Sequence, residues 1–196
     1  MKIATVGLTA FATLLLAACS GSPDAPESPA PSSAPTDVAS SETSMPEPTV
    51  GNEDDPLCAA AKVSLEASAE LEAKVNELQE LMSDPSFITS ADGSVLNAWG
   101  ADVLELTAPS KDFYELGVTE TEGDAVNADF VAMNAFVDTY TIPLATSAAD
   151  AGSPGDFFGE MQTLLTDDEV RTALTEAPQA ASRIAVYTVA RCKISD

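Results

Sequence analysis

Carboxylates are the side chains of this sequence most able to do chemistry. The chain has 32 Asp and Glu against 8 Lys and Arg and no histidine, and its formal net charge is −24. Without histidine, Ser-His-Asp and Cys-His catalysis and the usual zinc enzyme sites are excluded. No GxSxG, SxxK, glycine-rich phosphate-loop or EF-hand pattern occurs. Two carboxylates placed across a glycosidic bond still suffice for hydrolysis, so a carboxylate-dependent enzyme acting on glycans is the catalytic alternative.

Two short acidic clusters contain the oxygen ligands that calcium takes. They are Asn52-Glu53-Asp54-Asp55 and Asp167-Asp168-Glu169. Both fall at the start of a predicted helix, where the helix dipole favours acids without any metal. We therefore interpret both as helix N-termini and predict neither a metal site nor a cofactor.

The beginning of the chain has the layout of an export signal. Lys2 is the only charge before residue 24, and the run from Ile3 to Ala18 is uncharged and mostly apolar. As a helix this run would be about 24 Å long, short of the ~30 Å hydrocarbon core of a bilayer. The segment Leu16-Ala17-Ala18-Cys19 resembles the lipobox of bacterial lipoproteins. The resemblance implies that residues 1–18 are a signal peptide and that the thiol of Cys19 receives lipid.

This resemblance predicts an extracytoplasmic protein held to the cell membrane through acyl chains, such as palmitate, on Cys19. Two acyl chains anchor stably where one is marginal. The alternative is an ordinary signal peptide with a chance cysteine. The Ala-, Pro- and acid-rich composition of the chain also resembles that of actinobacterial proteins.

Residues 19–50 and 51–196 differ sharply in composition. The first stretch is dominated by Ser, Pro, Ala and Thr with almost no large apolar side chain, so we predict a disordered linker. The second has the size of one domain with one core. It contains 27 acids against 7 bases, which excludes nucleic acid as a partner because phosphate binding depends on Lys and Arg.

The two remaining cysteines form an even pair. Once Cys19 is assigned to lipid, Cys58 and Cys192 are left in a compartment that permits oxidation. We predict a disulfide between them, with two buried free thiols as the alternative. Cys58 lies near the start of the first predicted helix and Cys192 near the end of the last. Since a disulfide requires adjacent Cα atoms, an up-and-down bundle must then have an even number of main helices.

Apolar periodicity predicts an all-α domain of about four main helices with short extra ones. The first helix runs from Asp55-Pro56 to Asp84-Pro85, and the second from about Asp92 to Ala108-Pro109. Their apolar stripes are Ala61, Ser64, Ser68, Leu71, Val75, Leu78 and Met82 in the first, and Val95, Trp99, Val103 and Leu106 in the second.

The clearest seam predicts the third helix. It comprises Val126, Phe130, Met133, Val137, Tyr140 and Leu144 and continues past Pro143. We therefore expect a kink there, where the missing N–H frees the Thr139 carbonyl, rather than an end.

The remaining helices are predicted from their breaks. A short helix around Phe157–Leu165 follows the break at 151–155, and a capping box of Thr166 and Glu169 starts the next helix. That helix is expected to end at Ala177-Pro178, and the last to run from about Gln179 to Cys192. The run 184–189 has the composition of a strand, but no hairpin partner is present.

Aromatic residues are the remaining candidates for a binding surface. Trp99 lies on an apolar stripe and is predicted to be core. The pairs Phe113-Tyr114 and Phe157-Phe158 fall in predicted connecting segments, where both members cannot face one core. They are expected either to form an exposed patch or groove, or to cover an end of the bundle.

The sequence therefore favours a non-enzymatic, lipid-anchored module that binds or organises something in the cell envelope. A glycan-directed enzyme would require a cleft with two close acids of raised pKa. A small-molecule binder would require an apolar cavity between helices.

Overall fold

The computed structural model describes residues 55–193, which are helical almost throughout and contain no strand. The predicted signal peptide, Cys19, the linker and residues 52–54 of the first acidic cluster lie outside this range. The first helix, α1 (Pro56–Met82), begins where predicted, because the Asp55 side chain accepts a hydrogen bond from the Leu57 N–H and Pro56 occupies the first turn. A single turn, α2 (Pro85–Ile88), follows.

The second long helix, α3 (Ser94–Glu120), continues straight through Pro109, so the predicted end at Ala108-Pro109 was wrong. A proline inside a helix costs about 3 kcal/mol. Burial of residues beyond it, including the side chains of Phe113 and Tyr114, offsets that cost. In the predicted stripe Trp99 and Val103 are buried, but Val95 is exposed and the neighbouring Leu96 is buried instead.

The third long helix continues through Pro143, as predicted. It consists of α4 (Asn127–Phe136), a π-helical segment (Val137–Thr141) and α5 (Ile142–Asp150). In the π segment the Ile142 N–H donates to the Val137 carbonyl, five residues earlier. The wider turn is thus the local change that accompanies Pro143.

The last part of the chain forms α6 (Pro154–Thr166) and α7 (Asp168–Cys192). The predicted end at Ala177-Pro178 was wrong, because α7 passes through Pro178 with one face buried on both sides of it. The predicted capping box was also wrong. Asp167 is the cap, and its side chain accepts from the N–H groups of Glu169 and Val170, whereas the Thr166 hydroxyl donates backwards to the Thr163 carbonyl. The strand-like run 184–189 is helical, as predicted.

Four long helices form the predicted bundle, with α2 and α6 at one end. Successive long helices are antiparallel neighbours: α1 packs on α3, α3 on α4 and α5, and α4 on α7. Gly100 allows α3 to approach α5 closely, since a Cβ there would lie 2.4 Å from the Ala149 backbone nitrogen. The fully buried side chains include Trp99, Phe130, Tyr140 and Phe157. No helix in the described range is long and apolar enough to cross a membrane.

The predicted disulfide is confirmed. Cys58 and Cys192 are bonded, with their Cα atoms 5.4 Å apart, so the first and last long helices meet at one end of the bundle. The even helix count that the pairing required is therefore also confirmed.

Candidate functional site

The candidate site is a cleft between α1 and α7, halfway along the bundle. These two helices contact each other far less than the other neighbouring pairs of long helices do, and they are joined covalently at the disulfide end. Beyond that end a cleft of about 60 Å³ lies between them. The four long helices all contribute to it: Ser68, Leu71 and Glu72 of α1, Thr107, Ser110 and Tyr114 of α3, Met133, Phe136, Val137 and Thr141 of α4 and the π segment, and Ala177, Pro178 and Ala181 of α7.

Small side chains on the two outer helices create the space. Ser68 on α1 and Ala177 and Ala181 on α7 leave a gap where leucines would close the bundle. A volume of about 60 Å³ holds roughly four to six water-sized groups. This is enough for a short aliphatic chain but well below the ~300 Å³ of a typical drug-sized pocket.

Two irregular helix segments line the cleft. The π segment contributes Val137 and Thr141, and α7 contributes Pro178. Pro178 has no N–H, so the Leu174 carbonyl loses its helical partner. Because π turns inside α-helices are frequent at functional sites, this region is the first place to look for a ligand.

Thr107 in the cleft wall has a hydroxyl that the protein leaves without a partner. The residue is 3% exposed, and its Oγ1 makes no hydrogen bond to any described residue. By contrast, the neighbouring Ser110 Oγ accepts a bond of 3.2 Å from the Ser64 hydroxyl. A buried hydroxyl without a partner costs about 1–3 kcal/mol, and the great majority in native proteins are satisfied by protein or water.

The other polar side chains of the cleft are Ser68, Thr141, Tyr114 and Glu72, and only Glu72 has a carboxyl. Burial raises the pKa of Tyr114, so this phenol stays neutral at physiological pH. Glu72 is half-buried, and no Lys or Arg of residues 55–193 lies within ion-pair distance of it. The cleft therefore combines apolar walls with one negative group.

At the disulfide end, polar contacts instead join α1 and α7. Arg191 Nε donates to Asp55 Oδ2 at 2.8 Å, and Arg191 Nη1 donates to the Tyr187 hydroxyl at 3.0 Å. Burial alone would raise the pKa of Asp55, but the hydrogen bonds and charge of Arg191, together with the N–H groups of Leu57 and Cys58, hold that pKa below its usual value.

A second buried carboxylate is paired in the same way. Arg183 Nε of α7 donates to Asp129 Oδ2 of α4 at 2.8 Å. Asp129 is buried in the first turn of α4, where the helix dipole also favours a negative charge. Asp55 and Asp129 are thus each hydrogen-bonded to an arginine.

The aromatic candidates have mostly structural positions. Trp99 is core as predicted, 2% exposed, and its Nε1 donates to the Lys74 carbonyl at 2.7 Å. Phe113 and Tyr114 lie inside α3, so their predicted placement in a connecting segment, as an exposed patch or an end cover, was wrong, whereas Tyr114 does line the cleft. Both rings are buried, because they lie inside a long central helix with neighbours on two sides. Phe157 is buried at the bundle end and Phe158 is half-buried beside it.

The structure also shows which cleft residues the sequence patterns missed. Only Tyr114 belonged to the predicted candidates; Glu72, Thr107, Thr141 and Pro178 did not. The sequence contains one signal of the cleft, which is the pair of serines, Ser64 and Ser68, within the apolar stripe of α1. Serine side chains are small, so they fill less of the space between helices than leucines would. Asp167 serves as a helix cap, and no group of three or more potential metal ligands occurs within residues 55–193.

Comparison of the chain with protein-family models, with curated proteins and with solved structures finds no match. The cleft is therefore interpreted from its own chemistry.

Proposed function

We propose that this protein is a lipid-anchored binding module of the cell envelope that holds a ligand in the cleft between α1 and α7 without catalysing a reaction on it. The observation that carries the proposal is the cleft at the meeting of four helices, with the Thr107 hydroxyl unpartnered in its wall. Unfilled space and unsatisfied polar groups each lower stability. Departures of this kind from good packing are expected at functional sites.

The carboxyl groups support binding over catalysis. Glycoside hydrolysis requires two acids across the bond, and among the described residues that line the cleft only Glu72 has a carboxyl. The buried Asp55 and Asp129 are both engaged by arginines elsewhere. A binding role requires no such pair.

The proposed location outside the cytoplasm is supported by the lipobox-like segment ending at Cys19. The described domain has 24 acids and 7 bases, so its charge opposes contact with anionic headgroups and leaves membrane attachment to lipid. A Cys19→Ala precursor is expected to leave the membrane fraction, or to accumulate uncleaved. If it is still cut after Ala18 and still sediments with membranes, lipid on Cys19 is not the anchor.

Binding in the cleft is tested by filling it. Ala181→Leu places a larger side chain in the cleft wall, whereas Ala185→Leu places the same side chain on the exposed surface one turn later. Both full-length variants are purified from envelope, checked by thermal unfolding, and extracted for mass spectrometry of bound small molecules. We expect a species that the wild type and Ala185→Leu retain and Ala181→Leu lacks. Identical extracts from all three would contradict the proposal.

A further inference from the structure

We infer that the ligand of the cleft is a small amphipathic cation, a short aliphatic chain of about five carbons that carries an ammonium group. This inference rests on the proposed function and specifies the chemistry of the same site. The size, the lining and the charge of the cleft each support it.

The apolar part of the cleft selects an aliphatic chain. Leu71, Met133, Phe136 and Val137 provide carbon surface, and about 60 Å³ accommodates roughly four to six heavy atoms. A linear chain of that length fits between helix walls that are themselves close-packed. Bulky ring systems are too large for this volume.

The charged part of the cleft selects a cation. Glu72 is the acid of the lining, and the nearest base on α1, Lys74, is bound by Glu77 at 2.9 Å and by Asp102 of α3 at 2.7 Å. Lys62 lies ten residues before Glu72 on the same helix, about 15 Å away along the axis. No base of the described residues thus competes for Glu72.

The net negative charge of the whole domain also favours a cationic ligand. Within residues 55–193, five of the seven bases already pair with acids of this chain: Lys74, Lys111, Arg171, Arg183 and Arg191. The large excess of carboxylates creates a negative potential that concentrates cations and repels anions, including a second copy of this domain. The same potential opposes fatty-acid anions, which would otherwise suit the apolar walls.

The test compares three probes of one chain length: pentylamine, pentan-1-ol and pentanoate. Binding to the full-length protein in phosphatidylcholine nanodiscs is measured by saturation-transfer NMR titration at neutral pH, where the amine is protonated. Protein-free nanodiscs provide the blank. We expect pentylamine to bind about tenfold more tightly than the alcohol, as for a hydrogen bond to a charged group, and pentanoate to bind least.

Matched variants locate the effect. Glu72→Gln is expected to abolish the preference for the amine over the alcohol, and Glu70→Gln, an exposed position outside the cleft lining, to leave it unchanged. Equal binding of amine and alcohol, tighter binding of pentanoate, or no binding of any probe would overturn the inference. Loss of an envelope ligand in Ala181→Leu would still support the proposed function in those cases, so the two ideas fail separately.

Discussion

Helices α1 and α7 are joined at one end of the bundle and separated by a cleft halfway along it. At one end a disulfide, the Asp55–Arg191 ion pair and the Tyr187 hydroxyl join the two helices. Halfway along, small side chains leave a cleft with the Thr107 hydroxyl unpartnered. Because the same two helices are joined firmly at the disulfide end, the cleft halfway along results from the small side chains at that level of the bundle.

The largest loss of stability is expected when the disulfide is removed. Cys58→Ser with Cys192→Ser releases a loop spanning 134 residues, for which the chain-entropy model assigns about 4 to 5 kcal/mol. We expect a loss of that order in the free energy of urea unfolding. The double variant should be insensitive to dithiothreitol, whereas the wild type under reducing conditions should match it. A loss below about 1 kcal/mol would show that the bond adds little to the fold.

Breaking the buried ion pair comes next. The side chains of Asp55 and Arg191 are 7% and 14% exposed. Asp55→Asn keeps a residue that can cap α1 but leaves Arg191 with Glu120, whose Oε2 lies 3.7 Å from Nη2, as its remaining counterion, and we expect a cost of about 2 kcal/mol. Chemical denaturation at pH 7 measures the loss. A cost near zero would mean that solvent replaces the carboxylate.

The same variant makes a prediction about pH. Because the pKa of Asp55 is lowered in the folded state, its contribution to stability is present above the unfolded pKa of about 3.9 and is lost as pH falls through the lower folded value. The stability difference between the wild type and Asp55→Asn should therefore be constant near neutrality and shrink toward zero in acid. A difference that instead grew below pH 4 would reverse the assigned direction of the shift.

At the cleft the expected change has the opposite sign. Thr107→Val replaces the unpartnered hydroxyl with a methyl group of similar size, so we expect the ligand-free protein to become about 1 kcal/mol more stable. Thr121→Val, at the C-terminal end of the same helix, is the matched control, because the buried Thr121 hydroxyl donates to the Gly117 carbonyl at 2.7 Å. That variant should lose about 1 kcal/mol. Thermal unfolding of both variants is the measurement, and equal losses would show that Thr107 is satisfied in solution.

The smallest effect is expected for an exposed ion pair on α7. Arg171 and Asp168 form a pair whose side chains are 64% and 89% exposed. Arg171→Ala should change stability by less than about 0.5 kcal/mol, because solvent screens such pairs. The stability losses of Arg171→Ala and Asp55→Asn then compare an exposed ion pair with a buried one. Similar losses for the two variants would show that burial adds nothing to the contribution of an ion pair.

The helical fold could be predicted from sequence because its signals are local. The seam of the third helix and the Asp55-Pro56 start depend on residue spacing alone, whereas the cysteine pair was predicted from the even count that remains once Cys19 is assigned to lipid. The helix ends predicted at Pro109 and Pro178 were wrong for a physical reason. A proline ends an isolated helix, but here buried residues on both sides of it keep the helix continuous, and that burial is a tertiary effect which no local pattern contains.

The cleft could not be predicted, because it depends on how far apart α1 and α7 lie beyond the disulfide. Ala177 and Ala181 are typical of any close helix contact, and in this fold they border a gap. Thr107 is likewise an ordinary helix residue until the space beside it is known. The burial of Phe113 and Tyr114 depends on the central position of α3 between two neighbours, which is again a property of the assembled bundle.

The disulfide has a mechanical consequence as well as a thermodynamic one. Because Cys58 is in the first turn of α1 and Cys192 is the last residue of α7, a pull on the chain ahead of Asp55 is transmitted at once to both helices. Such a load acts on a covalent crosslink before it can peel α1 away residue by residue. The two walls of the cleft then move together under tension, so a tethered domain of this design would keep its cleft in shape while its attachment is stretched.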